Sequence, residues 1–291
     1  MRALKAIMAV SPTGETIQIV NPAVGIYLLD AAGLDLQADA LEYRVPERDG
    51  ATFINSYLPS RKIIVLLALL GSSAAIQSAW RALVRKLSPR LVSDRAHPFS
   101  LHITAADGVV RACDGVFGRL EIAQTEPTYA EATLVFQASD PALYDPNEKS
   151  VSAGLGAGSG FSFPLSMPAS FAETGIDNIV MANNVGDLPA WPRIVVSGPC
   201  DNPVITNETT GKKVEIVQAQ DAGDYITIDM DAATVVWYDA SAGVETNIIE
   251  NISMDSEFWP LVPGENAVHI VADGAAGGYV AVYWHDRYVS I

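Results

Sequence analysis

Short runs in which apolar and polar residues alternate recur at Leu4–Val10, Thr16–Val20, Val24–Asp30 and Leu41–Arg48, and this period of two predicts strands. Pro12-Thr13-Gly14, Asn21-Pro22, Gly33 and Asp49-Gly50 mark the turns between them. Arg61–Leu70 is different, because it is apolar without interruption from Ile63 onward, which predicts a longer strand buried on both faces. Gly71-Ser72-Ser73 ends it and offers a helix N-cap. From Ala74 to Leu87 the period changes: Ile76, Trp80, Leu83, Val84 and Leu87 form one helical stripe, closed by Ser88-Pro89. Phe99–Ala105, Val109–Leu120 and Tyr129–Ala138 read as three further strands, joined through Asp107-Gly108 and Glu126-Pro127. The first half is thus predicted as a β domain with one amphipathic helix.

A seam from Ser139 to Phe163 interrupts this pattern. Asp140-Pro141 and Asp145-Pro146 each remove a backbone donor and push the preceding residue out of the helical region. Gly154, Gly156, Gly158 and Gly160 then alternate with small residues that bury little. A phosphate-cradling loop needs a following helix, and Phe161-Ser162-Phe163-Pro164 stands there instead. The expected organisation is a domain over residues 1–147, a flexible linker over 148–163 and a second domain over 164–291.

Beyond the seam the pattern is almost purely of period two. Predicted strands are Asn178–Ala182, Arg193–Ser197, Val204–Thr206, Lys213–Gln218, Tyr225–Asp229, Thr234–Tyr238, Ala267–Val271 and Tyr279–Trp284. Evenly punctuated short strands without a helical period predict an antiparallel β-sandwich or jelly roll.

Charge divides the chain as sharply as pattern does. Residues 1–150 hold 14 Lys and Arg against 16 Asp and Glu, whereas residues 151–291 hold 4 against 18. An acidic second half repels nucleic acid and anionic membranes, which argues against specific nucleic-acid binding there. The stretch Ile63–Leu70 is too short to span a bilayer, which takes about 20 residues, and MRALKAIMAV runs on into an alternating pattern, so a first strand is expected rather than a secretion signal. Cys113 and Cys200 are expected as reduced core residues.

Candidate chemistry is sparse. The histidines at 97, 102, 269 and 285 have no metal-ligand spacing, no nucleophile elbow occurs, and pairs such as Asp229 and Asp231 or Glu257 and Glu265 are what chance places among so many acids. No catalytic residue, cofactor or metal is expected. Two features remain. Arg81, Arg85 and Lys86 form a basic helix face, read either as solvated charge complementing the helix dipole or as a contact with an acidic surface of a neighbouring subunit. Trp191 and Trp259 are the candidates for stacking on a sugar, against the alternative of buried aromatics. Asn207-Glu208-Thr209 and Asn251-Ile252-Ser253 match the glycan-acceptor pattern.

The order of helix, Leu87-Ser88-Pro89, Asp107-Gly108 and FQASDPALYDP resembles the first domain of siphophage distal tail proteins. NNVGDLPAWPRIVVSGP, DNPVITNETTG, AGDYITIDM, LVPGEN and the closing RYVSI are similar to the second domain of that family. One departure is Ala142, where relatives carry an aromatic residue after the Asp-Pro step. The resemblance implies a split-barrel-like first domain forming a hexameric ring, a galectin-like second domain, and no enzymatic activity. It also implies a place in the virion at the distal end of the tail, with the tail tube protein, the tail-tip hub, the tape measure and receptor-binding proteins as partners. The alternative from the residues alone is a carbohydrate-binding module or adhesin.

Overall fold

The computed structural model describes residues 4–35, 38–44, 46–47, 49–88, 98–155, 175–273 and 277–291. The chain forms two compact units, Met1–Pro146 together with Tyr288–Ile291, and Asn147–Arg287.

The first unit contains β1 (Leu4–Val10), β2 (Thr16–Gln18), β3 (Ile26–Ala32), β4 (Asp39–Tyr43), β5 (Thr52–Tyr57), β6 (Arg61–Leu70), α1 (Ser73–Leu87), β7 (Phe99–Ala105), β8 (Val110–Glu126), β9 (Tyr129–Ala138) and β10 (Leu143–Tyr144). Its main sheet is antiparallel in the order β2-β1-β7-β8-β9-β6-β3, with β10 paired to β8. Alternation sends Ile63, Val65, Leu67 and Leu69 of β6, Leu101 and Ile103 of β7, and Leu134 and Phe136 of β9 into one core. Helix α1 buries Ile76, Trp80, Leu83 and Leu87 there, which is the predicted stripe apart from the half-buried Val84. The Ser72 side chain caps the helix, accepting from the Ala75 amide at 3.3 Å. Phe117 makes edge-to-face contacts with Phe99 and Phe136, ring centroids 5.6 and 5.0 Å apart.

Three expectations change in this unit. Strand β6 is not buried on both faces: Lys62, Ile64, Leu66 and Leu70 alternate outward and are exposed, because among the described residues of the unit only the helix side of this strand is covered. The strand expected from Val24 begins at Ile26, since Pro22–Val24 forms a 3-10 turn whose entry is capped by Asn21. Gly25 and Gly33 bracket β3 with φ of +80° and +84°, and a Cβ at either would strike the β6 backbone, at the carbonyls of Leu70 and Lys62. Finally, the strand expected over Leu41–Arg48 is Asp39–Tyr43, and it pairs with β5, which the pattern did not predict.

The second unit contains β11 (Lys149–Leu155), β12 (Gly175–Asn184), β13 (Arg193–Ser197), β14 (Cys200–Asn207), β15 (Lys212–Glu215), β16 (Ala219–Gln220), β17 (Tyr225–Asp229), β18 (Thr234–Asp239), β19 (Val244–Asn247), β20 (Gly264–Asp273) and β21 (Gly278–Trp284). Two antiparallel sheets face each other: β11-β21-β13-β17-β18-β19, and β12-β20-β14-β15 with β16 also on β14. Ile194, Val196, Ile226, Ile228 and Val282 from one sheet meet Val180, Ile205, Val214, Val268 and Ile270 from the other around Trp259, the predicted sandwich. The expected linker over 148–163 needs correction in its first part. Lys149–Leu155 pairs residue for residue with β21, and Val151 and Ala153 pack on the core while Ser150 and Ser152 lie at the alternate positions. Residues 156–163 lie outside the described residues.

Candidate interaction surfaces

Buried polar side chains in the second unit secure its loops. Asn184 Nδ2 donates to the carbonyls of Leu188 and Leu261, both at 3.0 Å, and its Oδ1 accepts from the Gly186 amide at 3.0 Å. Asn266 Nδ2 donates to Val262 and Gly264 carbonyls at 2.8 and 3.0 Å. Asn207, the first residue of one glycan-acceptor match, is fully buried, and its Nδ2 donates to the Pro260 carbonyl and to Asn266 Oδ1, both at 3.4 Å, so its amide nitrogen is closed to modification. Asn251 of the other match donates to Gln218 Oε1 at 3.1 Å.

The sugar-stacking candidates part company. Trp259 is 0% exposed at the centre of the sandwich core, a correction to its expected role: a ring with no accessible face cannot stack on a pyranose. The loop Phe258–Leu261 dips between the sheets because Leu261 bridges Ala190 in both backbone directions, drawing the indole inward. Trp191 is 37% exposed just before β13.

Carboxylates proposed as chance pairs have local tasks. Asp229 Oδ1 accepts from the amides of Asp231 and Ala232, both at 2.9 Å, closing the turn after β17. Glu257 pairs with Lys212 at 3.0 Å. His269 meets Glu208 at 2.9 Å, and no group of His, Cys, Asp or Glu among the described residues is arranged to hold a metal. Both cysteines are free and buried, and burial pushes the thiol of Cys113 up to about 12 and that of Cys200 up to about 11.

Two surfaces of the first unit stand out against this closed background. Beside α1 runs a groove of about 700 Å³, walled by Ile17, Val24 and Ile26 on one side and by Ala75, Ala79 and Ala82 on the other. Those small residues come from helix positions three and four apart, so one face of α1 presents little side-chain bulk. Arg81, Arg85 and Lys86 are exposed on the helix; Lys86 Nζ pairs with Glu15 at 2.6 Å across the groove's end, so part of the basic face is satisfied within the chain.

The second surface is the β4–β5 hairpin. It pairs with no other strand among the described residues, and Leu41, Tyr43, Phe53, Ile54 and Tyr57 are all half exposed or more. By register, Leu41, Tyr43 and Tyr57 share one face, Phe53 lies opposite Glu42 on the other, and Ile54 sits at the bulge. Sequence reasoning missed this site. Its signal was the apolar pair Phe53-Ile54, lost between Asp49-Gly50 and Asn55-Ser56.

Residues 185–288 match the family model of the siphovirus-type tail component, C-terminal domain. Against the curated proteins, no match is found. Among solved structures, the chain is similar to the Dit protein of phage SPP1, described as a paradigm of the hub adsorption apparatus in phages infecting Gram-positive hosts: TM-score 0.63, 15% identity, 97% of this chain and 98% of that one covered. It is also similar to a chain of the phage P2 baseplate in its activated conformation with Ca, at TM-score 0.51 and 8% identity, covering 97% of this chain and 98% of that one. The Sr form of that baseplate gives TM-score 0.51 and 8% identity, with 96% and 97% covered. Residues 185–288 are thus similar to the C-terminal domain of the siphovirus-type tail components, and over nearly its whole length the chain has the fold of SPP1 Dit.

Proposed function

We propose that this protein is the distal tail component of a long-tailed phage, a non-enzymatic virion part whose first unit assembles into a hexameric ring joining the tail tube to the tail tip. The observation that carries this reading is the full-length likeness to a hub protein together with the family match in the second unit. The first unit supports it physically. Ring closure needs two different complementary patches on each protomer, and the described residues of this unit leave an apolar sheet face, an open groove and a hairpin that pairs with no other strand among them. The partners are the tail tube protein on one side and the tail-tip hub, tape measure and receptor-binding proteins on the other. The carbohydrate-binding alternative keeps Trp191 and loses Trp259.

Negative-stain imaging of the purified full chain tests the proposal. Rings of six protomers are expected, and mass photometry should show the hexamer. A strictly monomeric species at about tens of micromolar, a concentration that populates any complex with a Kd of about 1 μM, counts against it.

A further inference from the structure

We propose that the outer face of strands β12, β20 and β14 is a docking site for a cationic amphipathic helix of another protein. The inference concerns the second unit and stands apart from the ring reading, which concerns the first.

Register places the residues. Ile179 lies opposite His269 and Met181 opposite Ala267 between β12 and β20, while Val204 lies opposite Val271 between β14 and β20. Cross-strand partners share a face, and the alternate residues Val180, Ala182, Ile205, Val268 and Ile270 fill the sandwich core. Ile179, Met181, Val204, Ala267 and Val271 therefore form one apolar patch on the outer face, with Ile179 54% exposed, Met181 53% and Val271 40%. A sheet with one wet face alternates apolar inward with polar outward. Strand β17 of the facing sheet does so, with Thr227 and Asp229 outward against Ile226 and Ile228. Strand β12 does not: Ile179-Val180-Met181-Ala182 is apolar on both faces, at the end of its sheet. An open apolar strand at a sheet edge invites aggregation unless something covers it.

Size and charge specify the cover. The patch crosses three strands, about 10 Å, and runs from Ala267 to Val271, about 14 Å. That is the footprint of about two to three turns of a single helix. The positions around it are acidic: Glu208, Glu215, Glu265 and Asp273 stand there against Lys213, which pairs with Glu215 at 2.8 Å. His269, inside the patch, meets Glu208 at 2.9 Å. The other basic residues after position 150 are also engaged within the chain. Arg193 pairs with Glu148 and Lys212 with Glu257, both at 3.0 Å, and Arg287 donates to the Pro189 carbonyl at 3.1 Å. Two copies of this face would set acid against acid, so the charge favours a foreign partner that carries Lys or Arg on either side of an apolar stripe.

The test uses the purified full chain and a labelled synthetic helix of leucine and lysine, with every leucine on one face, beside its twin in which glutamate replaces lysine. Fluorescence anisotropy should show the lysine peptide bound, and the glutamate peptide at least about tenfold weaker. Met181→Asp adds a negative charge yet should weaken the lysine peptide by about tenfold or more, the loss expected at the centre of an interface. Thr227→Asp adds the same charge on the other sheet and should leave binding unweakened. Val271→Ser, a milder change at an exposed site, should weaken binding with the melting temperature unchanged, which separates lost docking from lost folding. Equal or tighter binding by Met181→Asp would reduce the effect to charge attraction and refute the site. Weakening by Thr227→Asp as well, full binding by Val271→Ser, or no binding of the lysine peptide would refute it too. Rings seen in negative stain should persist in Met181→Asp; their loss would make a second copy the occupant and overturn this inference while sparing the ring reading. Absence of rings from the unmodified chain, with the peptide results as expected, would count against the ring reading alone.

Discussion

Arg61, in the first sheet, donates from a terminal guanidinium nitrogen to the carbonyl of Val289 at 2.7 Å, joining residues separated by most of the chain. The same side chain donates through Nε to Pro141 at 2.6 Å and through its other terminal nitrogen to Leu34 at 2.9 Å and Gly33 at 3.3 Å. Burial lowers its pKa, while Cys113, Asp35 and Asp140 favour the charged form. The planar fork thus fastens the Asp-Pro turn, the end of β3 and the last residues onto β6. Arg61→Met should cost about 2–4 kcal/mol, because the carbonyls of Leu34, Pro141, Gly33 and Val289, buried or partly so, lose their donor at once. Chemical denaturation of the variant measures this, and a change under 0.5 kcal/mol, the scale of an ordinary surface substitution, would show that the clamp is incidental.

In the second unit Asp286 is wholly buried, accepts from Trp284 Nε1 at 3.1 Å and from the Val185 amide at 3.2 Å, and pairs with Lys149. Removing Asp286 leaves the Trp284 indole and the Val185 amide without their acceptor, and removing Lys149, itself 36% exposed, strands the buried carboxylate. Asp286→Ala should lower the stability of this unit by about 3–5 kcal/mol. Lys149→Met should act in the same direction, and the double variant should lose less than the sum, as read by a double-mutant cycle in urea.

Gly33 holds φ +84° and its missing Cβ leaves room for the Lys62 carbonyl. Gly33→Ala meets both strain and collision, and should destabilise the first unit by about 2–4 kcal/mol. Gly14, with φ +82° and open space around it, should tolerate alanine better; equal losses at the two positions would mean that the close approach of β3 to β6 contributes nothing.

His102 has its pKa lowered by burial from 6.5, with Asp114 opposing the shift. The unfolded chain therefore binds the proton more readily than the folded one. This contribution to stability is complete above pH 6.5 and declines as pH falls from there through the folded-state value. His102→Gln should flatten the fall in melting temperature over that window relative to the unmodified chain; parallel curves would assign the acid sensitivity to carboxylates.

The thiols of Cys113 and Cys200, pushed up to about 12 and about 11 by burial, should be almost inert to an aromatic disulfide reagent at neutral pH. Both should react promptly once the chain is unfolded in guanidinium. Fast labelling of the native protein would mean that one of the cores opens readily.

Much was legible from pattern because it depends on neighbours along the chain. The helix stripe Ile76, Trp80, Leu83 and Leu87, the Ser72 cap, and β1, β6, β7, β9, β13 and β17 follow from periods of 3.6 and 2 and from turn residues, which act locally. The mostly β first unit and the sandwich also followed from these periods. What stayed hidden depends on which layer covers a face. The period of β6 looked like two buried faces, yet Ile64 and Leu66 are exposed, since the alphabet of apolar residues is the same for a core and for an unfilled interface. The exposure of Trp259 and Trp191, the task of Asn207, the strand at Lys149–Leu155 and the pairing of β4 with β5 were decided only by long-range hydrogen bonds and packing. Those contacts join segments whose separation along the chain carries no information about their distance in space.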